Sequence, residues 1–324
     1  MLGGAVAVSR IVAAVALLGL LVVGTAQAHP APRQVERFWT PARMAAARPL
    51  DLTVDGDGRA DVHLGPRPRV ATAGYSMVAS PESPPYSSNG RLYVVQRGKE
   101  GFCSATAIDS PTRRLVLTAG HCVNSGPKDG RPGVWSTHLE FVPGFNLGVA
   151  PYGSFVLSGR PRALPGWTKD GNPDFDLGAF LTEPNAEGTL LADAVGGAAI
   201  ATDRSRHQRF ETFGYPGGTE RMRTCVSGFA GEDPVTATLP GPSTIGVRCD
   251  WAPGASGGGW LIEGGTEIDG LTSYIVNDGK RRLSYGPYFS ATTVGRLVAG
   301  LQRPPCVYFP GHGTGNPRSA KSGV

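Results

Sequence analysis

From Leu92 onward, glycine, proline, aspartate and serine cut the chain into apolar segments of four to eight residues, and this punctuation constrains the fold more than any other feature. Leu92–Gln96, Phe102–Ile108, Leu115–Thr118, Leu139–Val142, Gly153–Leu157 and Leu177–Leu181 read as strands, with turn signals such as Asp109-Ser110-Pro111 and Pro143-Gly144 between them. After a polar, glycine-bearing stretch near 183–205 a second set follows. It comprises Gln208–Gly214, Met222–Phe229, Thr244–Asp250, Gly259–Ile262 and Gly270–Val276. Runs this short, in a chain of 324 residues with 47 glycines and 28 prolines, favour many short strands over long helices. Thr293–Gln302 predicts one closing helix, with Thr292 as N-cap and Pro304-Pro305 as the stop. The pattern predicts an all-β chain of two packed antiparallel six-stranded β-barrels followed by a C-terminal helix.

The first residues read as an export signal. Arg10 supplies positive charge, Ile11–Val23 is an unbroken run of apolar residues and glycine, and Ala26-Gln27-Ala28 is a small-x-small cleavage site. The 13-residue run is shorter than the roughly 20 residues that cross a bilayer core, so cleavage after Ala28 is expected rather than anchoring. The mature chain is expected outside the cell, free of the membrane once the signal is removed. There the five cysteines should pair, and no C-x-x-C motif points to zinc or redox chemistry. The net charge of +5 comes mostly from scattered arginines without a basic, aromatic-laced stripe, which argues against a nucleic-acid partner.

Residues 29–85 are rich in proline, alanine and arginine, and read as a propeptide or loosely ordered extension. Asp51–Asp61 (DLTVDGDGRAD) is acidic, but read as an EF-hand loop its twelfth position is Val62 instead of a glutamate, so an acidic turn without metal is expected. Arg67-Pro68-Arg69-Val70 offers a basic processing site.

Three local patterns carry chemistry. Leu115–Cys122 (LVLTAGHC) ends an apolar segment in small residues and then places His121 beside Cys122. Asp174-Phe175-Asp176 puts a carboxylate directly before the apolar strand starting at Leu177. Pro253–Gly259 (PGASGGG) surrounds Ser256 with glycines, so that the amides of Gly254 and Ser256 can converge on one developing oxyanion. Along the chain the order is His, Asp, Ser, which is the chymotrypsin order and neither the subtilisin nor the α/β-hydrolase order.

On TAGHC (118–122), DLGAF (176–180) and GASGGG (254–259), residues 86–303 resemble the chymotrypsin-like serine peptidases. Gly214-Tyr215-Pro216-Gly217-Gly218 before Cys225, and Cys249-Asp250 shortly before the serine, are similar to the bacterial V8 and glutamyl-endopeptidase branch. The resemblance implies a secreted serine endopeptidase acting on proteins or peptides through an acyl-enzyme. His121 would be the base, Asp176 the orienting carboxylate, Ser256 the nucleophile, and Gly254 with Ser256 the oxyanion hole. It also implies disulfides Cys103–Cys122 and Cys225–Cys249, leaving Cys306 over, and substrate contacts from Ser273, Tyr274, Ile275 and Asp250, the last of which could line a pocket for arginine or lysine or equally serve a structural role. No cofactor or metal is implied, and a monomer is expected. Residues 86–195 would form the first barrel with His121 and Asp176, 196–303 the second barrel and helix with Ser256, and 304–324 a tail. The alternative is a catalytically silent secreted binding protein on the same scaffold.

Some positions depart from the family pattern. Ala255 stands where trypsin-like enzymes carry an aspartate, so their activation switch has no partner here. Ile275 replaces a glycine at the pocket mouth, and Thr272 stands where glutamyl endopeptidases carry a histidine.

Overall fold

The computed structural model describes residues 29–66, 75–277, 279 and 282–302. The expected signal segment, Arg67–Val70, Cys306 and the expected tail lie outside the described residues. The chain opens with two short helices, α1 (Pro32–Phe38) and α2 (Pro41–Ala46), and a hairpin of β1 (Arg48–Val54) and β2 (Ala60–Leu64). A two-residue strand, β3 (Ser76–Met77), follows. Next come β4 (Asn89–Gln96), β5 (Lys99–Ile108), β6 (Leu115–Ala119), β7 (Thr137–Pro143), β8 (Phe155–Ala163) and β9 (Leu177–Thr182). These six pair antiparallel in the order β5-β4-β7-β8-β9-β6, and β6 returns to β5, closing a barrel. Closure leaves no free strand edge in this unit.

The second unit contains β10 (Ala199–Ile200), β11 (Arg209–Gly214), β12 (Arg223–Gly231) and β13 (Ile245–Val247). It continues through β14 (Gly259–Ile262), β15 (Glu267–Leu271), β16 (Tyr274–Asn277) and β17 (Arg282–Gly286). Its sheet runs β10-β15-β14-β11-β12-β13-β17-β16, a curled half-barrel whose path does not close among the described residues. Trp260, Phe210, Ile245 and Val247 fill its interior, while Leu92, Phe141, Phe155, Leu117 and Phe180 fill that of the first barrel. Each such aliphatic or aromatic side chain contributes about 1.5–3 kcal/mol on burial.

The closing helix is present but starts earlier than expected. A helical turn at Ala291–Gly295 leads into Arg296–Ala299, and Ser290 is the cap in place of Thr292. Its hydroxyl accepts from the Thr293 amide at 3.2 Å while Thr293 Oγ1 accepts from the Ser290 amide at 2.9 Å. This reciprocal pair satisfies two otherwise orphaned donors.

Residues 30–65 are not the loosely ordered extension expected from composition. Val35, Trp39, Ala47, Leu50, Leu52 and Val62 are all buried, within the same cluster as the first barrel. The Trp39 indole donates to the His138 carbonyl at 2.6 Å. Leu50 and Leu52 lie on one face of β1 because side chains alternate along a strand. The acidic stretch forms the hairpin turn: Asp55 Oδ1 accepts from the amides of Asp57 and Arg59, both at 2.9 Å.

Candidate active site

His121 owes its position to the end of β6. There the strand passes into a single helical turn, Gly120–Val123, that buries the imidazole completely. The small residue before it is required by close approach. A Cβ on Gly120 would sit 2.8 Å from Asp176 Oδ1 and 2.9 Å from the Trp167 ring. The disulfide Cys103–Cys122 ties the next residue to β5, and Cys225–Cys249 braces the half-barrel. Both pairings agree with the expectation.

Asp176 follows a turn at Pro173–Phe175 and precedes β9. Its Oδ1 accepts from the His121 amide at 2.6 Å and its Oδ2 pairs with His121 Nδ1 at 2.7 Å. The Ser273 hydroxyl donates to the same Oδ2 at 2.5 Å. The carboxylate, though wholly buried, therefore faces three nitrogen and hydroxyl groups that can donate to it, the His121 amide, His121 Nδ1 and the Ser273 hydroxyl. Asp174, two residues earlier, faces elsewhere: its Oδ1 accepts from the Thr244 amide at 3.0 Å. Burial raises its carboxyl to about 7 against the lowering pull of that amide.

Ser256 lies in the loop before β14 and is 4% exposed. Gly254 adopts φ +98°, and a Cβ there would meet the Phe102 ring at 2.6 Å and the Tyr215 carbonyl oxygen at 2.8 Å. Only glycine fits that backbone. The loop is held from the first barrel by Ser104, a residue the sequence reading passed over. Its hydroxyl donates to the Gly254 carbonyl at 2.9 Å and accepts from the Tyr215 amide at 2.8 Å. Its own amide donates to the Ser256 carbonyl at 2.8 Å. Nothing in sequence distinguishes Ser104 from any strand serine; only the packing of the two units does.

Ser273 joins the two halves of the site. Besides bonding Asp176, it offers its carbonyl to Ser256 Oγ at 3.5 Å. His121 Nε2 has no hydrogen-bond partner. The site thus holds an oriented imidazole with an unpartnered Nε2, a serine linked to it through Ser273 and Asp176, and a glycine amide. These are the parts of a proton-transfer-assisted nucleophile.

The expected specificity residues are placed differently from one another. Ser273 lies next to the Asp176 carboxylate as described. Tyr274 turns its side chain into the core, where its hydroxyl donates to Asp233 Oδ2 at 2.8 Å, so only its backbone can meet a substrate. Ile275 is half-buried on β16. Asp250 is not a free anion: Arg282 Nη2 pairs with its Oδ2 at 2.6 Å.

The fold is that of the chymotrypsin-like serine proteases. The chain is similar to a crystal structure of the protease Anisep from Arthrobacter nicotinovorans, with 26% identity and a TM-score of 0.59 over 67% of this chain and 95% of that one. It is also similar to a thermostable serine protease, AL20, from an extremophilic microorganism, at 25% identity and TM-score 0.56 over 63% of this chain and 92% of that one. A Glu endopeptidase shares the fold at 22% identity and TM-score 0.55, over 70% of this chain and 95% of that one. No protein-family model and no curated protein sequence matches the chain. Among the described residues, no helix is long and apolar enough to cross a membrane.

Proposed function

We propose that the protein is an exported serine endopeptidase that works as a monomer on proteins or peptides outside the cell, without a cofactor. The observation that carries this reading is the double grip of Asp176 on His121, through the backbone amide at 2.6 Å and through Nδ1 at 2.7 Å, with Nε2 left open. A serine hydroxyl is a poor nucleophile near neutral pH. His121 Nε2 takes the Ser256 proton as Oγ attacks the scissile carbonyl carbon. The resulting oxyanion accepts from the Gly254 and Ser256 amides, an interaction typically worth about 3–4 kcal/mol per donor in the transition state. Collapse breaks the C–N bond, and the imidazolium returns its proton to the leaving amine. Water then attacks the acyl carbon as His121 takes its proton, and collapse breaks the ester C–O bond while the imidazolium returns that proton to Ser256 Oγ, freeing the serine and the acid product. Asp176 keeps the imidazole in the useful tautomer and stabilises its charged form.

One observation favours a second reading, a catalytically silent binding protein. Ser256 Oγ is directed to the Ser273 carbonyl at 3.5 Å and makes no hydrogen bond to His121. Catalytic hydrogen bonds are often unformed until substrate arrives, so this geometry does not exclude turnover. Hydrolysis of a random peptide library by the wild type, His121→Ala and Ser256→Ala separates the two. The endopeptidase reading expects cleavage by the wild type and none by either variant; cleavage that survives both substitutions overturns it.

A further inference from the structure

The cleft around Ser256 is already occupied by the chain's own N-terminal hairpin. The Gly254 amide, the donor that would bind a substrate oxyanion, donates instead to the carbonyl oxygen of Leu50 at 3.1 Å. On one side of that contact, Arg48 and Pro49 pair in parallel with Gly101 and Phe102 of β5, immediately before the disulfide at Cys103. On the other, β1 packs along β16, the strand that follows Ser273. An extended segment therefore spans the space between the two units and lays a peptide carbonyl on the oxyanion-binding amide.

The rest of the segment is built to stay there. Gly65 lies so close to the Ser256 loop that a Cβ would come 2.7 Å from the Pro253 Cβ. Arg48 Nη2 closes the base of the hairpin on the carbonyls of Leu64 at 3.2 Å and Gly65 at 2.9 Å. Lys128 in the first unit pairs with Asp61 near the hairpin tip at 2.6 Å. Leu50 and Leu52 are 2% and 1% exposed, and Trp39 is anchored on His138. With the hairpin seated, His121 is 0% and Ser256 4% exposed, so a substrate gains access only in the fraction of chains whose hairpin is displaced, and wild-type turnover is slowed rather than abolished.

We propose that residues 30–65 are an intramolecular inhibitor, a strap whose Leu50 carbonyl occupies the oxyanion-binding amide of Gly254. The active-site face is thus a docking surface for an extended peptide strand, and its resident occupant is this chain's own β1. Displacement of the strap is the event that admits substrate. The inference rests on the endopeptidase reading for its consequence, but the occupancy itself is independent of that reading. It also supplies the control missing at Ala255: the conformational switch lost there is replaced by direct obstruction.

The test uses the full chain and two variants outside the catalytic site. Leu52→Glu puts an unpaired carboxylate on the buried face of β1, and Trp39→Ala removes the anchor on His138. Two readouts are taken: hydrogen exchange at the Gly254 amide, and the rate at which a fluorophosphonate labels Ser256. The strap predicts a protected Gly254 amide in the wild type, with faster exchange and roughly tenfold or more faster labelling in the variants. If Leu52→Glu loses cooperative unfolding, the milder Trp39→Ala carries the comparison. A Gly254 amide that exchanges equally fast in wild type and variants overturns the strap. Equal labelling rates in chains whose amide protection differs overturn its inhibitory role. Absence of labelling from every chain, with protection changing as predicted, leaves the strap standing and removes the endopeptidase reading instead.

Discussion

Asp176 holds His121 at two points, accepting from its backbone amide at 2.6 Å and pairing with its Nδ1 at 2.7 Å, while Ser273 donates to the same carboxylate at 2.5 Å. An imidazole fixed this way presents Nε2 and only Nε2 as acceptor. Asp176→Asn should therefore leave the fold intact and lower kcat by about 10⁴-fold, because the amide favours the wrong tautomer. Asp174→Asn, whose side chain faces Thr244, should cost far less. Steady-state kinetics on a peptide substrate compare the two, and a larger loss at position 174 would reverse the assignment.

Ser104 acts through the loop it holds. Ser104→Ala removes the bonds to the Gly254 carbonyl and the Tyr215 amide and leaves both buried groups without that partner. Each loss of this kind costs about 1–3 kcal/mol, part of which should appear as misplacement of the oxyanion amide. The expected signature is a fall in kcat at nearly constant KM, rescued in part by Ser104→Thr. A variant with unchanged kcat and only a lower Tm would make Ser104 purely structural.

Glu140 lies on β7, 3% exposed, with Oε2 unpartnered, and burial pushes its carboxyl from 4.5 up to about 8. The folded chain thus binds this proton more tightly than the unfolded chain. The associated stability is fully present below about 4.5 and is lost as pH rises through about 8. Across that window the loss approaches ~1.4 kcal/mol per pH unit. Glu140→Gln should unfold at a lower temperature than wild type at pH 5 or equal it, and at a higher temperature at pH 9. Thermal unfolding of both chains across this range checks the sign; parallel curves would contradict it.

Asp250 is neutralised by Arg282 at 2.6 Å, so it should not select arginine or lysine at the cleaved position. Asp250→Asn should leave the preference measured on a peptide library unchanged. Loss of a basic preference in that variant would show that Arg282 gives way to substrate.

The strands of both units were legible because their apolar runs are short and bounded by turn residues, and His121, Asp176 and Ser256 because each sits in a local pattern. The strap was not read, though part of its signal was present. Leu50, Leu52 and Val54 alternate with Asp51 and Thr53, a period of two that marks one buried strand face. Proline, alanine and arginine on either side masked it, and α1 buries only Val35. Ser104 could not be found from its own neighbourhood, since its partners at Gly254 and Tyr215 are more than a hundred residues away. Asp250 is a similar case: the sequence shows a carboxylate near the serine, and only the fold brings Arg282 to it.

The central claim is that Ser256 is a nucleophile activated by His121, and covalent labelling tests it most directly. Leu52→Glu chains, in which the strap is weakened, are treated with a fluorophosphonate and mapped by mass spectrometry, alone and combined with Ser256→Ala or His121→Ala. The account predicts a single adduct on Ser256 that disappears with either added substitution. A folded chain that stays unlabelled, or that labels equally well without His121, would contradict it.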